Sequence, residues 1–144
     1  MPHRGQRVLW VDDATTVGRF GHDVLTCMGY EVVVTTRGQE ALATFQAAPQ
    51  NFAVLITDDT MPGLSGIELA TACRQIRVDL PIILCTGEPP TVYAAQAASQ
   101  RIDAVLAKPF YPVELVYTLE KVLTSHNGSS TQYAQAFTAR EAEG

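Results

Sequence analysis

The sequence is poor in cysteine and has no long apolar run. Its three cysteines, Cys27, Cys73 and Cys85, are odd in number, show no Cys-x-x-Cys spacing and lie in apolar stretches, which predicts buried, reduced thiols. No apolar run approaches the roughly 20 residues that span a bilayer, and residues 1–5 lead into no apolar signal core. These absences disfavour secretion and membrane insertion, and they predict a cytoplasmic protein with no membrane partner.

Basic residues are also scarce. The chain has ten lysine and arginine residues, of which only two are lysines, and the ten are scattered along the sequence. The formal net charge is -5. A surface that binds nucleic acid or an anionic membrane needs a basic patch, so the sequence predicts neither partner. The 144 residues, 47% of them hydrophobic, are enough for one sizeable core and hardly for two. A single compact domain is expected.

Short apolar runs alternate with segments of helical spacing. The runs are mostly rich in Val, Ile and Leu and lie near residues 7–11, 31–35, 52–57, 81–85 and 104–107. Apolar residues recur at helical spacing after each of the first three runs and again after the last. Alternation of strands and helices predicts parallel pairing, and nearly continuous apolar strands predict a sheet that is covered on both faces. The expected fold class is α/β, with a five-stranded parallel sheet and helices on both faces.

Two segments have weaker patterns. Residues 90–99 are rich in alanine and carry little apolar bulk, which predicts a helix that packs lightly and can move. Residues 125–131 break the composition and should end the last helix. We therefore expect one domain over 1–124 and a polar linker and tail over 125–144. The tail is either frayed or a short helix that carries the i, i+4 pair Tyr133 and Phe137.

Acidic residues follow two of the apolar runs. Asp12 and Asp13 come after the first run and Asp58 comes after the third. If these runs are neighbouring parallel strands, the three carboxylates meet at one end of the sheet, where their repulsion is destabilising unless a cation sits among them. The plainer explanation makes the acid pair a loop or helix cap and makes residues 58–62 a turn.

The two remaining runs add a hydroxyl and an ammonium group to the same end of the sheet. The fourth run ends in Thr86-Gly87 and the fifth ends in Lys108-Pro109. Thr86 alone could be a helix cap, and Lys108 alone could be an exposed lysine. All four features follow their strands in chain order, and ligands of open α/β sheets bind beyond the carboxyl ends of the strands. The combination predicts a functional site.

Together these residues resemble the receiver domains of two-component response regulators, a module of bacterial signalling. The resemblance runs from about Arg7 to Leu123 and rests on the acid pair, the Asp-x-x-Met-Pro signature at 58–62, the hydroxyl and the Lys-Pro pair. It implies the flavodoxin-like sheet order 2-1-3-4-5. It also implies a phosphoacceptor domain of a phosphorelay, which receives a phosphoryl group from a histidine kinase or a histidine phosphotransfer domain.

The resemblance assigns roles to individual residues. Asp58 is the expected phosphoacceptor. Asp13, Asp58 and the backbone carbonyl of Thr60 are the expected ligands of Mg²⁺, with Asp12 assisting through water and Mn²⁺ as an alternative ion. Lys108 neutralises the transferring oxygens.

The resemblance also implies a conformational switch. Thr86 and the backbone amide of Gly87 bind the phosphoryl group, and the Thr86 loop then moves inward. Such a domain assists its own phosphorylation and dephosphorylation and is not otherwise an enzyme.

One position departs from the family pattern. Many receivers have Tyr or Phe three residues before the lysine, and this chain has Val105. A switch by rotation of an aromatic ring cannot operate there, so we expect the output surface to respond weakly or by backbone movement. Two further positions, Thr60 and Glu88, influence the lifetime of the phosphoryl group in the family.

Rival classes fit the residues less well. A haloacid-dehalogenase-type phosphatase needs Asp-x-Asp after its first strand, and neither Asp12-Asp13-Ala14 nor Asp58-Asp59-Thr60 has that spacing. A flavodoxin-like FMN binder needs a phosphate loop where this chain has two carboxylates. The context stays open between a stand-alone receiver and one cut from a longer chain. The run from Leu80 to Gly87 is similar to receivers at the C-terminus of hybrid sensor histidine kinases. A homodimer is also left open.

Overall fold

A computed structural model describes residues 5–126 and contains one parallel sheet of five strands in the order β2-β1-β3-β4-β5. This confirms the predicted fold class and strand order. The strands are β1 (Arg7–Val11), β2 (Glu31–Thr35), β3 (Val54–Asp58), β4 (Ile82–Thr86) and β5 (Ala104–Ala107). The helices are α1 (Thr15–Cys27), α2 (Gly38–Ala47), α3 (Gly66–Ile76), α4 (Ala94–Ser99) and α5 (Pro112–His126). Short 3-10 helices span Pro49–Asn51 and Pro90–Tyr93.

Helices cover both faces of the sheet because every central strand is apolar on both sides. On one face, Leu9 and Leu55 pack with Phe45 of α2 and Leu69 of α3. On the other face, the neighbouring strand residues pack with α1 and α5, as Trp10 does with Leu25 and Leu115. Successive strand residues point to opposite faces, so one continuous apolar run supplies both halves of the core.

The single tryptophan shows how closely the layers approach. Trp10 is buried beneath α1, and a Cβ built on Gly21 would lie 2.6 Å from its ring. A larger residue at this position of α1 would displace the helix from β1 or force the indole off its rotamer. Gly21 thus sets the distance between α1 and β1, the strand that precedes the acid pair.

The segment between β4 and β5 packs lightly, as its composition predicts. It consists of the 3-10 helix Pro90–Tyr93 followed by α4, and α4 has no buried residue. Tyr93 and Ala97 are partly buried against the core and connect the segment to the sheet. That the segment also moves stays a prediction.

Two other expectations concern the ends of helices. Helix α5 extends to His126, the last described residue, so the predicted end of the last helix within 125–131 stays a prediction. The tail, including Tyr133 and Phe137, lies outside the described residues. The prediction of buried thiols holds for Cys73 and Cys85 but is wrong for Cys27, which is exposed in the last turn of α1. Helical periodicity puts that position on the solvent side. None of the helices within 5–126 is long and apolar enough to cross a bilayer.

Candidate functional site

The acidic residues meet where the strand order reverses between β1 and β3. Val11 of β1 is paired with Thr57 of β3, so Asp12, which follows β1, and Asp58, which ends β3, lie side by side. Asp12, Asp13 and Asp58 each contribute a carboxylate oxygen to a cluster whose atoms lie within 4.8 Å of one another. Asp12 and Asp58 are buried, whereas Asp13 is exposed. The three carboxylates predicted to converge are therefore together, with one side open to solvent.

Lys108 reaches this cluster from the end of β5. Its Nζ donates to Asp12 Oδ2 at 2.9 Å and to Asp58 Oδ1 at 2.8 Å. Its backbone N–H donates to the carbonyl of Thr86 at 2.7 Å, which fixes the loop after β5 against the end of β4. The ammonium group thus bridges the two buried acids, as expected for a basic residue at a strand end that faces them.

The plainer explanation holds for the loop and the turn, but neither acid caps α1, whose N-cap is Ala14 with no side-chain cap hydrogen bond. Asp12 Oδ1 accepts the backbone N–H of Ala14 at 2.9 Å, which organises the loop into α1. Ser65 caps α3 through a capping box with Glu68. The turn after Asp58 closes onto the start of α3, where the Gly66 N–H donates to the Asp59 carbonyl at 3.0 Å. Loop geometry and site geometry are compatible because they use different atoms of the same residues.

The pKa of Asp58 is raised to about 6, chiefly because burial disfavours the ionised carboxylate. The hydrogen bond from Lys108 opposes this, and the charge of Asp12 adds to it. Burial alone would lower the pKa of Lys108, but its hydrogen bonds to Asp58 and Asp12 outweigh that effect and raise it. Lys108 is therefore a permanent cation, and ionisation of Asp58 costs more in the folded chain than it does for an exposed acid.

This cost predicts a pH-dependent effect of neutralising Asp58. In the folded chain its pKa of about 6 lies above the ordinary 3.8, so the fold favours the protonated acid and loses stability as the pH rises through about 6. Without metal, Asp58→Asn should therefore be more stable than wild type by about 0.5 to 2 kcal/mol near pH 8, and by much less near pH 4.

Urea unfolding of both proteins in chelator at the two pH values measures this difference. A gain of equal size at both values would mean that removal of the buried, ionised Asp58 carboxylate is not its cause.

Thr86 makes a contact that the sequence did not predict. It is fully buried at the end of β4, and its Oγ1 donates to Asp59 Oδ2 at 2.8 Å. The same Asp59 oxygen accepts the hydroxyl of Tyr93 at 2.7 Å. Burial would raise the pKa of Asp59, but the hydrogen bonds from Tyr93 and Thr86 outweigh it and lower the pKa. The sequence could have indicated Asp59, because it is adjacent to Asp58. It gave no indication of Tyr93, which lies in the segment with the weakest helical pattern.

The remaining predicted site residues surround the cluster. Gly87, Thr60 and Glu88 are exposed, and the backbone N–H of Glu88 donates to Thr86 Oγ1 at 2.9 Å. Val105 is half-buried in β5 and packs on the same core cluster as Tyr93. The structure places no side chain of this group on the acids, so their roles in binding or switching stay predictions.

The donor set suits a hard divalent cation. Oxygen atoms of three carboxylates converge, one of them is exposed, and there is no sulfur or imidazole ligand in the cluster that the described residues form. Mg²⁺ prefers such oxygens, keeps several waters and commonly binds through one or two carboxylates. The residues present therefore fit Mg²⁺.

An apolar groove lies beside the ammonium group. It has a volume of about 470 Å³ and runs between α1 and the loop after β5. Its walls include Val17, Phe20 and Phe110, and Lys108 forms one end. The rings of Phe20 and Phe110 pack with their centroids 5.8 Å apart. A partner seated there would contact Lys108, which bridges Asp12 and Asp58.

The sequence model of the response regulator receiver domain matches residues 8–120. The chain belongs to this family. It is 35% identical over 118 residues to the response regulator receiver protein CpdR of Brucella abortus, an alignment that covers 82% of this chain and 97% of CpdR. It is 32% identical to the probable transcriptional regulator ycf27 of Cyanophora paradoxa, over 88% of this chain but only 56% of that protein.

Solved structures give the same result. The chain superposes on the response regulator TrrA from Thermotoga maritima, which was solved in complex with Mg²⁺ and beryllofluoride, with a TM-score of 0.72 and 32% identity. That match covers 81% of this chain and 98% of TrrA. The protein is thus a receiver domain of two-component signalling, with the flavodoxin-like fold of its family.

Proposed function

We propose that this domain accepts a phosphoryl group on Asp58 from the phosphohistidine of a histidine kinase or a histidine phosphotransfer domain. The observation that carries the proposal is the bridge that Lys108 makes between buried Asp58 and Asp12, beside exposed Asp13. This arrangement supplies a nucleophilic carboxylate, a fixed cation and an oxygen-rich opening for a metal. A group that carries several negative charges needs all three to approach an acid.

The transfer is a displacement at phosphorus. An Asp58 carboxylate oxygen forms a bond to phosphorus while the bond from phosphorus to the histidine nitrogen breaks, and the imidazole leaves with the electron pair. With a pKa of about 6, Asp58 is largely ionised above neutral pH and can act as the nucleophile. Lys108 is already within hydrogen-bond distance of the attacking carboxylate, so it can offset the charge that builds up without moving far.

Asp13, Asp58 and the backbone carbonyl of Thr60 would hold Mg²⁺ or Mn²⁺, with Asp12 assisting through water. The bound ion supplies positive charge that neutralises phosphoryl oxygens. The similarity to TrrA, which binds Mg²⁺ with beryllofluoride, supports this assignment. The groove between Phe20 and Phe110 supplies a docking surface for the phosphodonor, because it opens directly onto Lys108.

Incubation with acetyl phosphate and Mg²⁺ tests the proposal. Intact-mass measurement should show one added phosphoryl group, and hydroxylamine should remove it because it is an acyl phosphate. Chelation of the metal should prevent labelling. No labelling from acetyl phosphate, or from phosphoramidate as a second donor, would contradict the proposed chemistry.

Metal binding gives a separate prediction. Millimolar Mg²⁺ should raise the melting temperature of the wild type by about 2 to 5 °C, because the ion relieves the repulsion among the carboxylates of the folded site. Asp13→Asn should show a much smaller shift, since it lacks the exposed carboxylate of the cluster. Asp23→Asn, an exposed acid on α1, is the matched control and should respond like wild type. Equal shifts in all three proteins would argue against Asp13 as a ligand.

A receiver segment of a hybrid sensor histidine kinase is the alternative context. The run from Leu80 to Gly87 that carries this resemblance is buried β4 and the turn after it. The chemistry at Asp58 would be the same, but the phosphodonor would lie in the same polypeptide. Phosphotransfer rates from kinase cores and from histidine phosphotransfer domains, compared side by side, separate the two contexts. In either context the domain assists its own phosphorylation and dephosphorylation and catalyses no other reaction.

A further inference from the structure

One carboxylate oxygen joins three separate parts of the chain. Asp59 Oδ2, in the loop after β3, accepts hydrogen bonds from Thr86 Oγ1 at 2.8 Å and from the Tyr93 hydroxyl at 2.7 Å. Thr86 ends β4, and Tyr93 ends the 3-10 helix that leads into α4. The Asp59 carboxylate is thus a shared acceptor that lies next to the proposed phosphoacceptor.

The hydrogen bond to Asp59 uses the only proton that the Thr86 hydroxyl can donate. A threonine hydroxyl has one proton to donate, and here that proton goes to Asp59. The oxygen also accepts the N–H of Glu88 at 2.9 Å, which holds it in this orientation. Thr86 cannot donate to a phosphoryl oxygen on Asp58 until it gives up Asp59. The two acceptors therefore compete for a single proton.

Tyr93 links Asp59 to the lightly packed segment between β4 and β5. Its hydrogen bond ties the 3-10 helix to the site loop, and α4, which follows directly, has no buried residue. The bond to Asp59 raises the pKa of Tyr93 to about 12, as expected for a phenol that donates to a carboxylate. If Thr86 leaves Asp59, the Oδ2 atom loses one of the two hydroxyl donors, and Tyr93 is the one that remains.

We propose that Asp59 accepts the hydrogen bond of the Thr86 hydroxyl in the resting state. We further propose that Tyr93, through its own hydrogen bond to Asp59, transmits the loss of the Thr86 bond to α4. This proposal rests on the proposed function, since the competing acceptor is the phosphoryl group on Asp58. It places a switch aromatic residue on the segment before α4, whereas the position that carries one in many receivers is Val105. Asp59 and Tyr93 are positioning residues here, because neither needs to contact the phosphoryl group.

A double-mutant cycle tests the competition. Beryllofluoride with Mg²⁺ is the probe, and its apparent affinity is measured for wild type, Asp59→Ala, Thr86→Val and the double variant. Asp59→Ala should strengthen binding in the Thr86 background by about fivefold to twentyfold more than it does in the Thr86→Val background. Removal of the Asp59 charge strengthens binding of the anionic probe equally in both backgrounds. The difference between the backgrounds therefore measures only the contribution of the Thr86 hydroxyl. Asp59→Asn, which keeps a weaker acceptor, should give a smaller coupling.

Hydrogen exchange tests the role of Tyr93 without any phosphoryl group. In the resting protein, Tyr93→Phe should speed exchange over residues 91–99 several-fold and reduce the change that beryllofluoride causes there. Tyr111→Phe removes a hydroxyl from an exposed ring and is the matched control, which should leave exchange unchanged.

The outcomes separate the two proposals. Equal effects of Asp59→Ala in both Thr86 backgrounds would overturn the competition, and unchanged resting exchange in Tyr93→Phe would overturn the coupling to α4. Failure of the wild type to bind beryllofluoride would overturn the proposed function and the competition together. Hydrogen exchange of Tyr93→Phe in the resting protein tests the link between Tyr93 and α4 independently of that result.

Discussion

Asp58→Asn should reduce labelling by acetyl phosphate below about 1% of the wild-type level, because the amide removes the nucleophilic oxygen that attacks phosphorus. The substitution keeps the size of the side chain, and Lys108 retains its hydrogen bond to Asp12. The fold should survive, since loss of a buried carboxylate relieves repulsion. Intact-mass spectra of both proteins under identical donor and Mg²⁺ concentrations measure the effect.

Asp59→Asn is the matched control for this result. It changes the neighbouring carboxylate in the same way, but Asp59 faces Thr86 and Tyr93 and not Lys108. Its labelling should stay within about threefold of wild type, since the nucleophile and the ammonium group are intact. Strong labelling of Asp58→Asn that disappears in the double variant would move the phosphoacceptor to Asp59.

Gly66→Ala should destabilise the domain by about 2 to 3 kcal/mol, because α3 begins in contact with the backbone of the phosphoacceptor. A Cβ on Gly66 would lie 2.1 Å from the carbonyl oxygen of Asp58, and the backbone there is the end of a buried strand. Alanine at the first position of a helix gains up to about 1 kcal/mol in helix propensity, and the steric clash outweighs it. Denaturant unfolding measures the change.

Gly87→Ala separates the steric effect from the general cost of replacing glycine. A Cβ at Gly87 would meet nothing within 4 Å, so its stability should stay within about 0.5 kcal/mol of wild type. Gly66→Ala should also slow labelling, because relief of the clash must shift either α3 or Asp58. Equal losses of stability in the two variants would show that the close approach of α3 to Asp58 is not the cause.

Much of the site could be predicted because it depends on chain order. Short apolar runs that alternate with helical spacing leave few arrangements of the sheet, and in a parallel sheet all strands end on the same side. Asp12, Asp58 and Lys108 each follow such a run directly. Their convergence therefore follows from the pattern once β1 and β3 are neighbours, and the family resemblance supplied the strand order.

The sequence by itself determined the strands, the helices and the meeting of the acids with Lys108, because these depend on periodicity and on position along the chain. Only the tertiary structure decided where the hydroxyl of Thr86 points and which residue joins it at Asp59. Those contacts depend on side-chain rotamers and on the path of the 3-10 helix before α4, and no periodic pattern specifies either. The raised pKa of Asp58 is likewise a tertiary property, because it follows from burial and from the nearby charge of Asp12, which together outweigh the hydrogen bond from Lys108.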